Sequence, residues 1–141
     1  MLSTTIGLLG AGRMATALAS GFVRAKLVTP DRLVASDPNG EARDAFTRAV
    51  PGAEVVADNG PVVAKADLVW LAVKPQTMDA LLGEIRGAIR QSTLVVSIAA
   101  GVTIGRLSAA LPAGQRIVRV MPNTPCLIGR GASAYSLGPH T

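Results

Sequence analysis

Residues 5–19 read TIGLLGAGRMATALA. A short apolar run, Ile6, Leu8 and Leu9, ends in Gly10-Ala11-Gly12 and passes without a linker into an alanine-rich helical stretch. Strand, glycine turn and helix must follow one another with no slack, and each residue type has a physical job. Gly10 permits the tight turn. Gly12 has no Cβ, so a phosphate can approach the backbone. Ala15, where many such turns carry a third glycine, is small enough for the helix to pack closely on the strand. The first free N–H groups of the helix, with the positive end of its dipole, favour an anion. The pattern predicts a grip for a dinucleotide pyrophosphate. Glycine is common here, 15 of 141 residues, so a purely structural turn is the alternative. The buried strand before it and the helix directly after it favour the phosphate site.

The same alternation continues along the chain. Apolar runs predict strands over Thr5 to Gly10, Arg32 to Ser36, Glu54 to Ala57, Asp67 to Val73, Thr93 to Ser97 and Arg116 to Met121. Helical spacing or composition predicts helices over Gly12 to Lys26, Glu41 to Val50, Asn59 to Lys65 with Asn59 as the cap, Gln76 to Arg90, and Thr103 to Leu111. The run DLVWLAV (67–73) is the most hydrophobic. It is expected at the centre of the sheet, covered on both faces, with Trp70 in the core. The expected architecture is α/β, a Rossmann-type doubly wound parallel sheet. Residues 129–141 read as loop-like, with a short strand conceivable over Ala134 to Leu137.

Composition excludes several alternatives. Hydrophobic residues make up 49% and aromatics 3%, a profile that suits helices packed on a parallel sheet. No run approaches the roughly 18–20 apolar residues of a membrane span. No charged leader precedes the first strand, so no signal peptide is expected. The net charge is +5, yet the arginines are spread singly and no aromatic stacking set accompanies them, which argues against nucleic acid. Cys126 alone cannot form an internal disulfide, and a reducing, cytoplasmic setting is expected. Neither metal-ligand spacing nor a Ser-His-Asp set is present, so no metal site is expected.

Ligands of an open parallel sheet bind outside the carboxyl ends of its strands. Those ends bring together residues 10–14, Ser36-Asp37, residues 72–76, residues 97–101 and residues 121–125. Asp37 follows Gly10 by 27 residues, near the spacing of the acid that reads ribose hydroxyls. It either serves that purpose or simply builds the Asp-Pro turn; Asn39 and Arg43 are close enough to answer a phosphate instead. Pro75 holds Lys74 extended and keeps the backbone of Ala72 to Lys74 clear of a helix start. Lys74 offers a charge to a phosphate or carboxylate, or faces solvent at a strand end. Ala99-Ala100-Gly101 suits a backbone lying close to a ligand, or a tight turn. Asn123 and Thr124, between two prolines, place hydrogen-bonding groups on a stiffened loop.

Together, Gly10-Ala11-Gly12-Arg13-Met14-Ala15, LAVKPQ (71–76), VVSIAAGVTI (95–104) and RVMPNTPCLIGRGASAY (119–135) resemble the cofactor domain of pyrroline-5-carboxylate reductase. The resemblance runs through nearly the whole chain in order. It implies reduction of 1-pyrroline-5-carboxylate to L-proline with NADPH or NADH. It places cofactor contacts on Leu9, Gly10, Ala11, Gly12, Arg13, Met14, Asp37, Asn59, Ala72, Val73, Lys74, Pro75, Ile98, Ala99 and Ala100, with Asn123 and Thr124 on the substrate side. Asn59 then has two readings, helix cap or contact to the adenosine side. Asp37 departs from the small hydroxyl residue of several relatives, which leaves the choice between NADH and NADPH open. The resemblance also implies an all-helical substrate and dimerisation domain, through which the full-length form would be a homo-oligomer. That domain is absent from these 141 residues. The chain is therefore expected to be a single truncated cofactor domain over 1–141, its sheet incomplete at the carboxyl end, with no catalytic residue of its own. The alternatives are another oxidoreductase of the hydroxyacid dehydrogenase superfamily and a non-catalytic nucleotide-binding regulatory module.

Overall fold

Strands and helices alternate in the computed structural model, which describes the whole chain apart from the side chains of Thr124 and Cys126. β1 (Ile6–Leu9) leads into α1 (Arg13–Arg24), β2 (Leu33–Ser36) into α2 (Gly40–Ala49), and β3 (Glu54–Val56) into α3 (Asn59–Lys65). β4 (Leu68–Leu71) precedes α4 (Met78–Ile85), β5 (Leu94–Ser97) precedes α5 (Ile104–Ala110), and β6 (Arg116–Pro122) and β7 (Ser133–Leu137) follow. The strand order is β3-β2-β1-β4-β5-β6-β7. The first six strands are parallel, and β7 runs antiparallel to β6. The chain winds outward from β1 to β3, then returns to place β4 on the other side of β1. That reversal opens a crevice at the carboxyl ends of β1 and β4.

β4 lies in the middle of the sheet, as its composition predicts. Side chains alternate across each strand, so the sheet separates two apolar clusters. On one face Leu9, Val69, Leu71 and Val95 pack with Val62 of α3, Leu81 and Leu82 of α4, and Leu107 of α5. On the other face Leu8, Leu33 and Ala35 pack with Ala15 and Ala19 of α1 and Phe46 of α2. Burying one such leucine fully contributes about 2 kcal/mol. Trp70 belongs to this second face, half-buried, its ring 5.6 Å from that of Phe22. Ala15 is 1% exposed, which bears out the need for a small residue where α1 meets the sheet.

Most elements begin and end within one or two residues of the sequence expectation, and three departures have a physical cause. The helix expected over Gln76 to Arg90 is shorter. Pro75–Thr77 forms a 3₁₀ turn and α4 stops at Ile85. Gly87 weakens the helix beyond that point. The turn nevertheless keeps an Ile89 N–H to Ile85 carbonyl bond at 2.9 Å, so Ile89 stays in the core and preserves the apolar period. α1 ends at Arg24 rather than Lys26, because Lys26 takes a left-handed φ of 58° and the Leu27 N–H closes back on the Phe22 carbonyl. In the tail, the short strand conceivable over Ala134 to Leu137 forms as β7, one residue longer at Ser133, because it pairs along β6 from Val118 to Pro122.

Candidate functional site

The crevice is a cavity of about 500 Å³. Gly10 and Gly12 form one wall, Ser36 to Pro38 and Ala57 to Asn59 a second, and Ala72 to Lys74 with Thr77, Leu81 and Glu84 a third. All of these residues follow the carboxyl end of a strand except the α4 side chains, which reach in from the flanking helix.

The two glycines of the turn stand in different surroundings. Gly10 takes φ +100°, and a Cβ there would lie 2.8 Å from the Ala72 carbonyl oxygen. Its N–H donates to the Ser36 carbonyl at 2.8 Å, so the fold itself requires this residue. Gly12 has φ −76° and ψ −169°, an extended conformation open to any residue. A Cβ at Gly12 would meet nothing within 4 Å. Packing therefore gives no reason for this glycine, whereas a ligand approaching the backbone does. α1 starts here without a side-chain cap and without an acid in its first turn. Its first internal bond is from the Thr16 N–H to the Gly12 carbonyl, at 2.9 Å. The N–H groups of Arg13, Met14 and Ala15 thus have no intrahelical acceptor and favour an anion in the open space before them.

Asp37 serves the turn that its position suggests and also ties that turn to the glycine loop. Its Oδ1 accepts from the Asn39 N–H at 2.9 Å, which builds the turn, and its Oδ2 accepts from the Ala11 N–H at 3.0 Å, which braces the glycine loop. Asn39 caps α2 by accepting from the Glu41 N–H at 2.9 Å. Arg43 donates through Nη1 to the carbonyls of Asp37 and Pro38, at 2.9 and 3.1 Å. Both groups that sequence position made available to a phosphate thus spend part of their hydrogen-bonding capacity on the loop, Asn39 through Oδ1 and Arg43 through Nη1.

Asn59 is not the cap of α3. Asp58 holds that position and makes no side-chain cap bond, while Asn59 is the first residue of the helix. Its Oδ1 accepts from the buried Ser36 hydroxyl at 2.7 Å, and its Nδ2 donates to Glu84 Oε2 at 3.1 Å. The competing bonds to Ser36 and Glu84 draw the amide toward the cleft. Sequence reasoning missed Glu84, which reads there as one more polar position of an amphipathic helix. It became visible only when the fold set α4 against α3.

The remaining predicted residues divide. Ala72, Val73 and Lys74 line the cleft, and Lys74 is extended at φ −64° and ψ 148°, as Pro75 requires. Leu9 is buried and acts through its carbonyl, which accepts from the Ala72 N–H at 2.8 Å. Ala11 and Arg13 border a separate groove between α1 and α2, and Met14 is half-buried in the first turn of α1. Pro75 opens the 3₁₀ turn beyond the cleft. Ile98, Ala99 and Ala100 follow β5 outside the cleft wall, with the Ile98 N–H on the Leu71 carbonyl and the Ala99 N–H on Ser97 Oγ, both at 3.3 Å. Asn123 Oδ1 accepts from the Ala132 N–H at 3.0 Å and ties the β6–β7 connection together. The side chain of Thr124 lies outside the described residues.

Known proteins share this fold. The family model described as NADP oxidoreductase, coenzyme F420-dependent, matches residues 5–101. The chain is 39% identical over 141 residues to a pyrroline-5-carboxylate reductase of Methanosarcina acetivorans, covering 98% of this chain and 51% of that relative. Among solved structures, a pyrroline-5-carboxylate reductase from Coxiella burnetii matches with a TM-score of 0.93 and 30% identity, over 99% of this chain and 52% of that one. The pyrroline carboxylate reductase of Plasmodium falciparum, solved with NADP bound, matches with a TM-score of 0.86 and 29% identity, over 100% of this chain and 50% of that one. The chain therefore spans about half the length of the relatives it matches.

Proposed function

Because the chain belongs to the family described as NADP oxidoreductase, coenzyme F420-dependent, we propose that its cleft binds NADH or NADPH and serves the reduction of 1-pyrroline-5-carboxylate to L-proline. The observation that carries this reading is the open face of Gly12 before an uncapped α1, inside a cavity of about 500 Å³. That volume is within the range of small-molecule sites. The polar groups fit: free helix N–H groups donate to a pyrophosphate, and carboxylates accept from ribose hydroxyls. When bound, the dinucleotide supplies a hydride from its nicotinamide ring.

The chain's own residues bind and orient. Gly10 and Gly12 let the backbone come close, and the first turn of α1 meets the negative charge. Asp37 holds the glycine loop in shape through Ala11. The extended stretch Ala72 to Lys74 presents backbone groups along the cleft. Ile98 to Ala100, with almost no side chain at the two alanines, leave room at the end of β5 for a flat ring, and Asn123 and Thr124 stand on the loop toward the substrate. Among the described residues none is assigned a proton-transfer role. A cyclic iminium is already electrophilic at carbon, so positioning is the larger task. We assign substrate binding and homo-oligomer formation to the part of the relatives' length that this chain does not span. Among the described residues no helix is long and apolar enough to cross a membrane. We place the protein in the cytoplasm on the strength of the reductase reading.

A chimera tests this reading. With the chain replacing the matching half of a relative, L-proline is expected from 1-pyrroline-5-carboxylate at the expense of NADH or NADPH. The 141-residue chain alone is expected to bind the dinucleotide with little turnover. A folded chimera that binds the dinucleotide but oxidises hydroxy acids instead would support a hydroxyacid dehydrogenase and overturn the proposal.

A further inference from the structure

We infer that the cleft selects NADH over NADPH, with Asp37 and Glu84 as the determinants; this rests on the dinucleotide reading above. The cavity wall carries three carboxylates, Asp37, Asp58 and Glu84, against a single cationic side chain, Lys74. The two cofactors differ only in a 2′-phosphate, which brings a charge of about −1.5 to −2 at neutral pH. A ribose diol donates hydrogen bonds to carboxylates; a phosphate can only accept them, and like charges repel across a partly desolvated cleft.

Asp37 stands where a ribose-reading acid is expected, at the carboxyl end of β2 beside the glycine turn. Each of its oxygens accepts one backbone N–H, from Ala11 and from Asn39. Each therefore keeps acceptor capacity for a hydroxyl. Those same bonds fix the carboxylate in place, so it cannot swing away from an incoming phosphate without releasing the glycine loop. Glu84 closes the opposite wall from α4. The relay from Ser36 Oγ through Asn59 to Glu84, at 2.7 and 3.1 Å, orients it. The two groups nearest to a 2′-phosphate are held at the loop by part of their hydrogen-bonding capacity, Arg43 through Nη1 and Asn39 through Oδ1. Arg43 does not line the cleft and its Nη1 serves the Asp37 and Pro38 carbonyls, while Asn39 caps α2.

Calorimetric titration of the protein with NADH and with NADPH tests the inference. NADH is expected to bind at least about tenfold tighter, with the ratio shrinking as salt screens the carboxylates. Asp37→Ser is expected to bring the ratio to about one, and Glu84→Gln to reduce it by about threefold. Glu84 is exposed and off the core, so its variant keeps the test valid should Asp37→Ser disturb the loop. Equal or tighter binding of NADPH by the native chain would overturn the inference, as would an NADH preference that neither variant alters. Absence of binding for both dinucleotides, in protein shown folded by its melting curve, would overturn the cofactor reading itself.

Discussion

Gly10 and Gly12 are two residues apart and answer to different demands. Gly10 is left-handed and pressed against the Ala72 carbonyl. Gly10→Ala is expected to destabilise the fold by about 2 kcal/mol or more. Gly12→Ala puts its methyl into open space and is expected to change stability by less than about 1 kcal/mol. The same methyl stands in the way of a phosphate, and dinucleotide affinity is expected to fall at least about tenfold. Urea denaturation and titration of both variants check the contrast; equal effects of the two on stability would mean that the turn is only structural. The turn itself was legible from sequence because glycine spacing next to a buried strand has few interpretations. Asn59 was legible as a position but not as a role. A helix cap and a cleft residue look alike until the partners, Ser36 and Glu84, are in place.

The elements were legible wherever an apolar run had turn residues on both sides, as in β2 between Pro30 and the Asp37-Pro38 turn. They were less so where a turn kept the helical period, as after Ile85, or where a strand is short and exposed throughout, as β7 is. One tie between elements gives a pH dependence. Asp67, just ahead of β4, accepts from the Thr5 N–H at 3.0 Å and from Arg90 Nη2 at 3.2 Å. The Thr5 hydrogen bond holds its carboxyl below the usual carboxylate range, against a weak opposing desolvation, and Arg90 adds to the effect. A depressed folded-state pKa contributes stability that is present above the unfolded value, near 3.9, and is lost as pH falls through the folded one. Denaturation midpoints of Asp67→Asn, followed from neutral pH to below about pH 4, are expected to start lower than those of the native chain and to decline less. Parallel curves would show that this carboxylate does not couple the start of β1 to the start of β4. With both side chains of the pair near half exposed, the difference will be modest.

For the molecule as a whole, sheet order decides where the chemistry can sit. Six parallel strands bring the glycine turn, Asp37, Asn59 and Val73-Lys74 to one crevice although they are scattered over 65 residues of chain. Ile98 to Ala100 and Asn123 lie beyond it. Their assignment came from family resemblance rather than from residue chemistry, since small side chains and a rigid loop fit many roles. The family match over residues 5–101 covers the crevice in full, the part of the chain to which the proposed task of holding a dinucleotide is assigned. Backbone amide NMR during titration with NADH probes that task residue by residue. The account predicts saturable shifts centred on Gly10 to Met14, with Asp37, Asn59, Val73 and Lys74 moving alongside and the α5 amides still. Saturable shifts centred on the groove between α1 and α2, or no shifts in a folded chain, would contradict it.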